Sequence, residues 1–274
     1  MAPTRWHLSG EASLAALDLL YVHAEVLGIE ERDDGYEVWL DGVAPAAVTA
    51  LAGALLAPLP VTPDLFAHTG RERDAPILVA ADLCVRPPWV PTPAGFAGID
   101  LVVPRGFAFG SGEHGSTRAA LAALHGAWPS APVASLVDVG TGSGILAAYG
   151  RARGVPVLTA CDIEFDAVRA ARELIPGLGV VCGGPETLAL EAEIVVANMT
   201  AAELDATFPS LLRLRQATGM LVVSGLRVGA PEQAIRARAA AGGLAPTGRR
   251  DECEGFVALG FVALGFRAAA SGRR

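Results

Sequence analysis

The sequence predicts an α/β protein: a doubly wound, Rossmann-like sheet preceded by a small α+β unit of ferredoxin-like order. Three observations predict it. From about residue 100 onward, short apolar runs alternate with helix-length stretches, the pattern of a parallel sheet covered by helices. One apolar run passes straight into alternating glycines and then a helix, Val137-Asp138-Val139-Gly140-Thr141-Gly142-Ser143-Gly144-Ile145-Leu146. Residues 1–63 instead read strand, helix, strand, strand, helix, strand.

The chain has 274 residues, enough for one full α/β domain and a smaller one. Hydrophobic residues make up 52% and mean hydropathy is +0.42, so a large core is available and disorder is disfavoured. Net charge is −8, which repels phosphate; no direct nucleic-acid partner is expected. Every basic side chain is arginine, so no lysine base or Schiff base is available. Cys84, Cys161, Cys182 and Cys253 form no C-x-x-C pair and have no neighbouring histidines. They read as free thiols of a reducing cytosol, with no disulfide frame and no metal site. The N-terminus lacks a signal-peptide apolar core, and no apolar run approaches the roughly 18 residues of a membrane span. The expectation is a soluble, cytoplasmic protein with no membrane partner.

The elements follow in order. Trp6 to Leu8 reads as a strand, and Ser9 precedes a helical stretch carrying Leu14, Leu17, Val22 and Leu27. Strands at Ile29–Arg32 and Tyr36–Leu40 flank the acidic turn Asp33-Asp34-Gly35. An alanine-rich helix covers Pro45 to Leu56, stopped by Pro58 and Pro60. Residues 64–100 read as a linker with an extended segment, Ile77 to Val85, followed by a proline cluster. Residues 101–274 hold the large domain, with strands at 135–139, 156–161, 178–182, 192–197, 219–224 and 255–261. The last includes a duplication, Gly255-Phe256-Val257-Ala258-Leu259 followed by Gly260-Phe261-Val262-Ala263-Leu264. A period of five puts Phe256 and Phe261 on opposite faces of a regular strand, so one copy is expected to overhang or bulge.

Three constellations carry chemistry. The glycine loop Gly140-Thr141-Gly142-Ser143-Gly144 lets backbone approach a ligand at a helix N-terminus, and Asp162, 22 residues after Gly140, ends the next strand where it can accept from ribose hydroxyls. The spacing is the G-x-G-x-G of S-adenosylmethionine (SAM) sites; it is neither the dinucleotide fingerprint nor a P-loop. The second constellation is the loop Arg105 to Arg118, with Phe109, Glu113, His114 and Thr117, leading into a helix from Thr117 to about His125. His114 is either a ligand or base, or a residue that orders the loop. The third is Asn198, a polar amide at the end of the apolar run from Ala192. It either accepts from a substrate amine or is a turn residue.

Taken together, Phe107 to Thr117, Asp138 to Leu146, Cys161 to Val168 and Val195 to Asn198 resemble the PrmA family of SAM-dependent ribosomal protein L11 methyltransferases. The lysine methyltransferase of the electron-transfer flavoprotein β subunit is similar. The resemblance covers about residues 77–265. It implies a protein N-methyltransferase acting on lysine or N-terminal amines, with a ribosomal protein as first-choice partner. By that resemblance Gly140, Gly142 and Gly144 pass under the methionine part of SAM, Asp138, Thr141 and Asn198 belong to the same cofactor site, Asp162 holds the ribose, and Ile163 flanks the adenine. Phe109 and Thr117 line the methyl-donor side, and Asn198 faces the acceptor nitrogen. Glu113 and His114 are the candidates for taking its proton. Three places depart from the family pattern: Glu113 and Gly115 in the loop, Met199-Thr200 after Asn198, and a linker without a two-tryptophan segment. Two other readings stay beside this one, a methyltransferase of a different protein, peptide or small molecule, and a non-catalytic SAM-binding protein.

Overall fold

The computed structural model describes residues 4–9, 20, 25–32, 35–41, 56–59, 74–104 and 109–263. The chain divides into two compact units, Met1–Arg73 and Asp74–Arg274.

In the first unit, β1 (Thr4–Ser9), β2 (Glu25–Arg32), β3 (Gly35–Asp41) and β4 (Leu56–Leu59) form one antiparallel sheet ordered β2-β3-β1-β4. A split order with β1 between β3 and β4 is ferredoxin-like. Trp6 and Leu8 on β1, and Val38 and Leu40 on β3, are buried at alternate positions, the period of a half-covered sheet. Arg32 and Gly35 pair, while Asp33 and Asp34 of the expected turn lie outside the described residues. Two helix boundaries move. Leu27 lies inside β2, because Glu25–Arg32 pairs along its whole length with β3. Leu56 opens β4, whose Pro58 sits opposite Trp6 on a strand with only one neighbour, where a missing N–H is harmless. Of the rest of both expected helices only Leu20 is described, helical and fully buried; the remainder lies outside the described residues.

The second unit opens with β5 (Ile77–Ala80), β6 (Leu83–Arg86) and β7 (Ile99–Val102). The single extended segment expected at Ile77 to Val85 is thus a hairpin, turning at Ala81-Asp82, with β7 added in parallel to β6. Gly98 makes that return possible: a Cβ there would lie 2.2 Å from the Asp82 carbonyl oxygen. Leu83, Val85, Leu101 and Val103 pack into the core of this unit, so residues 77–102 are structural here.

The large sheet follows: α1 (Gly115–Gly126), β8 (Ser135–Val139), α2 (Ile145–Ala152), β9 (Val157–Asp162), α3 (Phe165–Leu174), β10 (Gly179–Cys182), β11 (Ala192–Asn198), α4 (Ala201–Leu214), β12 (Arg215–Arg227), α5 (Ala230–Ala241), β13 (Leu244–Cys253) and β14 (Phe256–Ala263). Its order is β10-β9-β8-β11-β12-β14-β13, parallel from β10 to β12 and antiparallel at β14 and β13. The chain reverses its direction of growth between β8 and β11. That is the switch point beyond which such sheets bind ligands. Helices cover both faces. Ile194, Val196, Met220 and Val222 point into one core with α1 and α2, while Val195, Ala197, Leu221 and Val223 point into the other with α4 and α5.

Two features differ from the sequence reading. β13 was not among the expected strands; it carries Pro246, Gly248 and a run of charges from Arg249, all of which an edge strand tolerates. Among the described residues the duplicated segment neither overhangs nor bulges: Phe256–Ala263 is one continuous strand. Both faces of β14 are covered, so period five is no conflict. Val257, Leu259 and Phe261 enter one core, Ala258 and Val262 the other. The irregularities sit on its neighbours, between Val223 and Leu226 on β12 and between Pro246 and Arg250 on β13.

Candidate active site

A cavity of about 660 Å³ lies beyond the carboxyl ends of β8, β9 and β11. Its floor is the glycine loop. Gly140 and Thr141 N–H groups both donate to the Cys161 carbonyl, at 2.9 and 3.1 Å, which ties the loop to the end of β9. Gly142 N–H donates to Asp162 Oδ2 at 2.8 Å, and Glu164 N–H to Asp162 Oδ1 at 3.0 Å. The carboxylate is therefore held in place by backbone alone. Gly142 has φ +53°, and a Cβ there would lie 2.3 Å from the Phe109 carbonyl oxygen, so only glycine fits. The preceding loop locks onto the same turn: Ser143 N–H donates to Phe109 O at 2.8 Å and its hydroxyl to Gly110 O at 2.7 Å.

Asp138 and Thr141, expected beside the cofactor, lie beneath the cradle and outside the cavity lining. Asp138 is fully buried; its Oδ2 accepts from the Thr141 hydroxyl at 2.7 Å and from Ala147 N–H at 3.1 Å. Burial pushes its carboxyl up to about 7, against the lowering effect of those two donors. Its work is to brace the turn from strand to helix. Gly144 caps α2 in the left-handed conformation and also lies off the lining, packed against Ala171.

At the other end of the cavity, three elements converge. Asn198 ends β11, and its Nδ2 donates to Thr117 Oγ1 at 3.4 Å, while its buried Oδ1 has no partner among the described residues. The Asn-Met-Thr departure has a local reason: Thr200 and Glu203 form a reciprocal capping box that starts α4 immediately after Asn198. Met199 lies against the floor, since a Cβ on Gly140 would come within 2.9 Å of its Cγ and Sδ. His114 is the N-cap of α1; its Nδ1 accepts from Ser116 N–H at 3.3 Å and lies 2.8 Å from the Ser116 hydroxyl. Its ring contacts Phe109 and Phe256, with centroids 5.2 and 4.5 Å away. The helix begins at Gly115, two residues before the expected start.

The cavity therefore brings together Phe109, His114, Gly140, Gly142, Asp162, Ile163 and Asn198 of the expected residues. Thr117 reaches it only through Asn198. Glu113 does not line it; its carboxylate is 3.1 Å from the Ser111 hydroxyl. Sequence reasoning missed Phe256, Ser116, Met199, Glu186 and Glu203, all in the lining. Phe256 was visible only as one copy of a repeat, and the Gly183-Gly184 turn beside Glu186 was an unused signal.

Among the described residues, the lining holds three carboxylates, Asp162, Glu186 and Glu203, and neither arginine nor lysine. A sulfonium-bearing nucleoside fits this lining: a glycine cradle, a fixed carboxylate for ribose, and an exposed apolar Ile163 beside it.

A family model described as "Ribosomal protein L11 methyltransferase (PrmA)" matches residues 67–245. Among similar proteins is the ribosomal protein L11 methyltransferase of Geotalea uraniireducens, 31% identical over 177 residues, covering 59% of this chain and 56% of that one. Another is that of Syntrophotalea carbinolica, 31% identical over 192 residues, covering 68% and 61%. The chain thus spans 56–61% of the length of these curated relatives. The crystal structure of a ribosomal protein L11 methylase from Lactobacillus delbrueckii subsp. bulgaricus shares the fold, with TM-score 0.61, 22% identity, and coverage of 69% of this chain and 97% of that one. With two thirds of its length inside one family model, and its switch-point cavity built from that family's motifs, this chain belongs to the ribosomal protein L11 methyltransferase (PrmA) family.

Proposed function

We propose that this protein is a SAM-dependent N-methyltransferase of protein amino groups, with ribosomal protein L11 as its acceptor. The observation that carries the reading is the buried Oδ1 of Asn198 in the cavity wall, unpartnered among the described residues. A buried acceptor without a donor is costly, and an incoming amine supplies the missing N–H. SAM, when bound, supplies an electrophilic methyl group. Gly140 and Gly142 form its cradle, Asp162 accepts from its ribose hydroxyls, and Ile163 and Phe109 cover its apolar surfaces.

The protein's part is then placement. Asn198 accepts one N–H and so turns the nitrogen lone pair toward the methyl group. Thr117 holds the Asn198 amide in that orientation. His114 Nδ1 is engaged by the helix cap, so we assign His114 to ordering the loop and not to taking the proton. The ammonium proton leaves to water before transfer. The ferredoxin-like unit is the part we assign to recognising the protein acceptor, and free thiols with no disulfide partner suit a reducing cytoplasm.

The test is transfer of label from radiolabelled SAM to purified ribosomal protein L11, run beside a lysate from cells lacking this protein. Label on L11 supports the full reading. Label on another protein or a small molecule discards L11 and keeps the methyltransferase. SAM binding with no transfer at all overturns the enzyme.

A further inference from the structure

The first turn of α1 presents His114, Ser116 and Thr117 to the acceptor end of the cavity. Two contacts, from β12 and from the β13–β14 turn, hold that turn. The first comes from Ser224, a fully buried polar side chain on β12. Its hydroxyl donates to the Ser116 carbonyl at 2.9 Å, with the Val257 carbonyl 3.5 Å away. The Ser224 carbonyl in turn accepts the Met199 N–H at 3.2 Å, and Ser224 sits in register with Asn198 across the β11–β12 pair. One residue thus bonds to the chain neighbours of both Thr117 and Asn198. The adjoining Gly225, φ +90°, forms the irregularity that makes room: a Cβ there would lie 2.0 Å from the Met199 carbonyl oxygen.

The second contact comes from the β13–β14 turn. Glu254 is the one non-glycine among the described residues with positive φ, +52°. Glycine would occupy that position at lower cost. What glycine lacks is the carboxylate, which ion-pairs with Arg118 on the first turn of α1. The same turn lies against Gly115, where a Cβ would come within 2.7 Å of the Cys253 carbonyl oxygen. Phe256, the next residue but one, stacks on His114.

We propose that Ser224 and Glu254 are positioning residues for methyl transfer: they clamp the first turn of α1 so that Thr117 and His114 stay in register with Asn198. Neither lines the cofactor cradle, so each acts on the acceptor step alone. The proposal rests on the methyltransferase reading above.

The test compares Ser224→Ala and Glu254→Gly with the unaltered full chain. Alanine at 224 leaves the Ser116 carbonyl its own helical partner, so no buried group is orphaned. Glycine at 254 relieves the left-handed backbone, so its Tm should equal or exceed the parent's. In both variants kcat is expected to fall about tenfold while SAM affinity by calorimetry stays within about twofold. Amide hydrogen exchange at Ser116, Thr117 and Arg118 should quicken, with Gly140 to Gly144 unchanged. Unaltered exchange and kcat would overturn the clamp, as would equal loss of SAM affinity. If the parent itself transfers no methyl group, the methyltransferase reading fails, and the exchange data still decide the clamp.

Discussion

The two ends of the cavity are built in different ways. The cradle end is one continuous β-turn-α-β segment, from Asp138 to Asp162, held by backbone donors to Cys161 O and Asp162. The acceptor end is assembled from four separate segments joined by side chains. Asn198 reaches Thr117 across 81 residues of sequence, and Ser224 reaches Ser116 across 108. A local, backbone-made site depends on glycines and tolerates little change. A non-local, side-chain-made site can be altered one contact at a time, which, on the methyltransferase reading, suits the half that must fit a particular acceptor.

The strongest way to break the comparison is at Gly142. Gly142→Ala forces a Cβ to within 2.3 Å of the Phe109 carbonyl and a side chain into φ +53°. Both loops must shift, and SAM affinity should fall by roughly a hundredfold or more, measured by calorimetry. An alanine variant that binds normally would mean the cradle is more pliant than its backbone bonds suggest.

Next is Asn198→Ala, expected to lower kcat by on the order of a hundredfold with SAM affinity unchanged. Equal loss of both would show that the two ends are not separable. Asp162→Ala should weaken SAM binding by about 1.5–3 kcal/mol, the value of a hydrogen bond to a charged group. Because Asp162 also receives Gly142 and Glu164 N–H groups, Asp162→Asn should recover only part of that loss, and full recovery would remove the ribose assignment.

The smallest effect concerns stability. Asp138 has its carboxyl raised from 3.8 to about 7 by burial. Between those values the folded chain binds more protons than the unfolded one, so this group favours folding below about pH 4 and loses that contribution as pH rises through about 7. Asp138→Asn should flatten that part of a pH–Tm profile. An unchanged profile would place the titration elsewhere.

Much of the fold was legible because it is periodic. β8, β10 and β11 fall within one residue of their expected bounds, each an apolar run ended by glycine or a polar residue. β13 escaped because edge strands are written in the language of loops. Within the site, the cradle glycines and Asp162 were readable from spacing, since consecutive residues of one turn must be near each other. His114 lines the cavity, but its capping role depends on where α1 starts. Glu113, its neighbour in sequence, stands off the cavity for the same reason.

What the sequence by itself determined is the architecture and the nucleoside end of the site: strand and helix periods are local, and a glycine turn carries its own geometry. Only the tertiary structure decided the acceptor end. Which hydroxyl meets the Ser116 carbonyl, which carboxylate holds Arg118, and whether Phe256 faces a core or the His114 ring all follow from the register of β12, β13 and β14. A one-residue slip in those strands would turn every such side chain to the other face, and no spacing within a single segment records it.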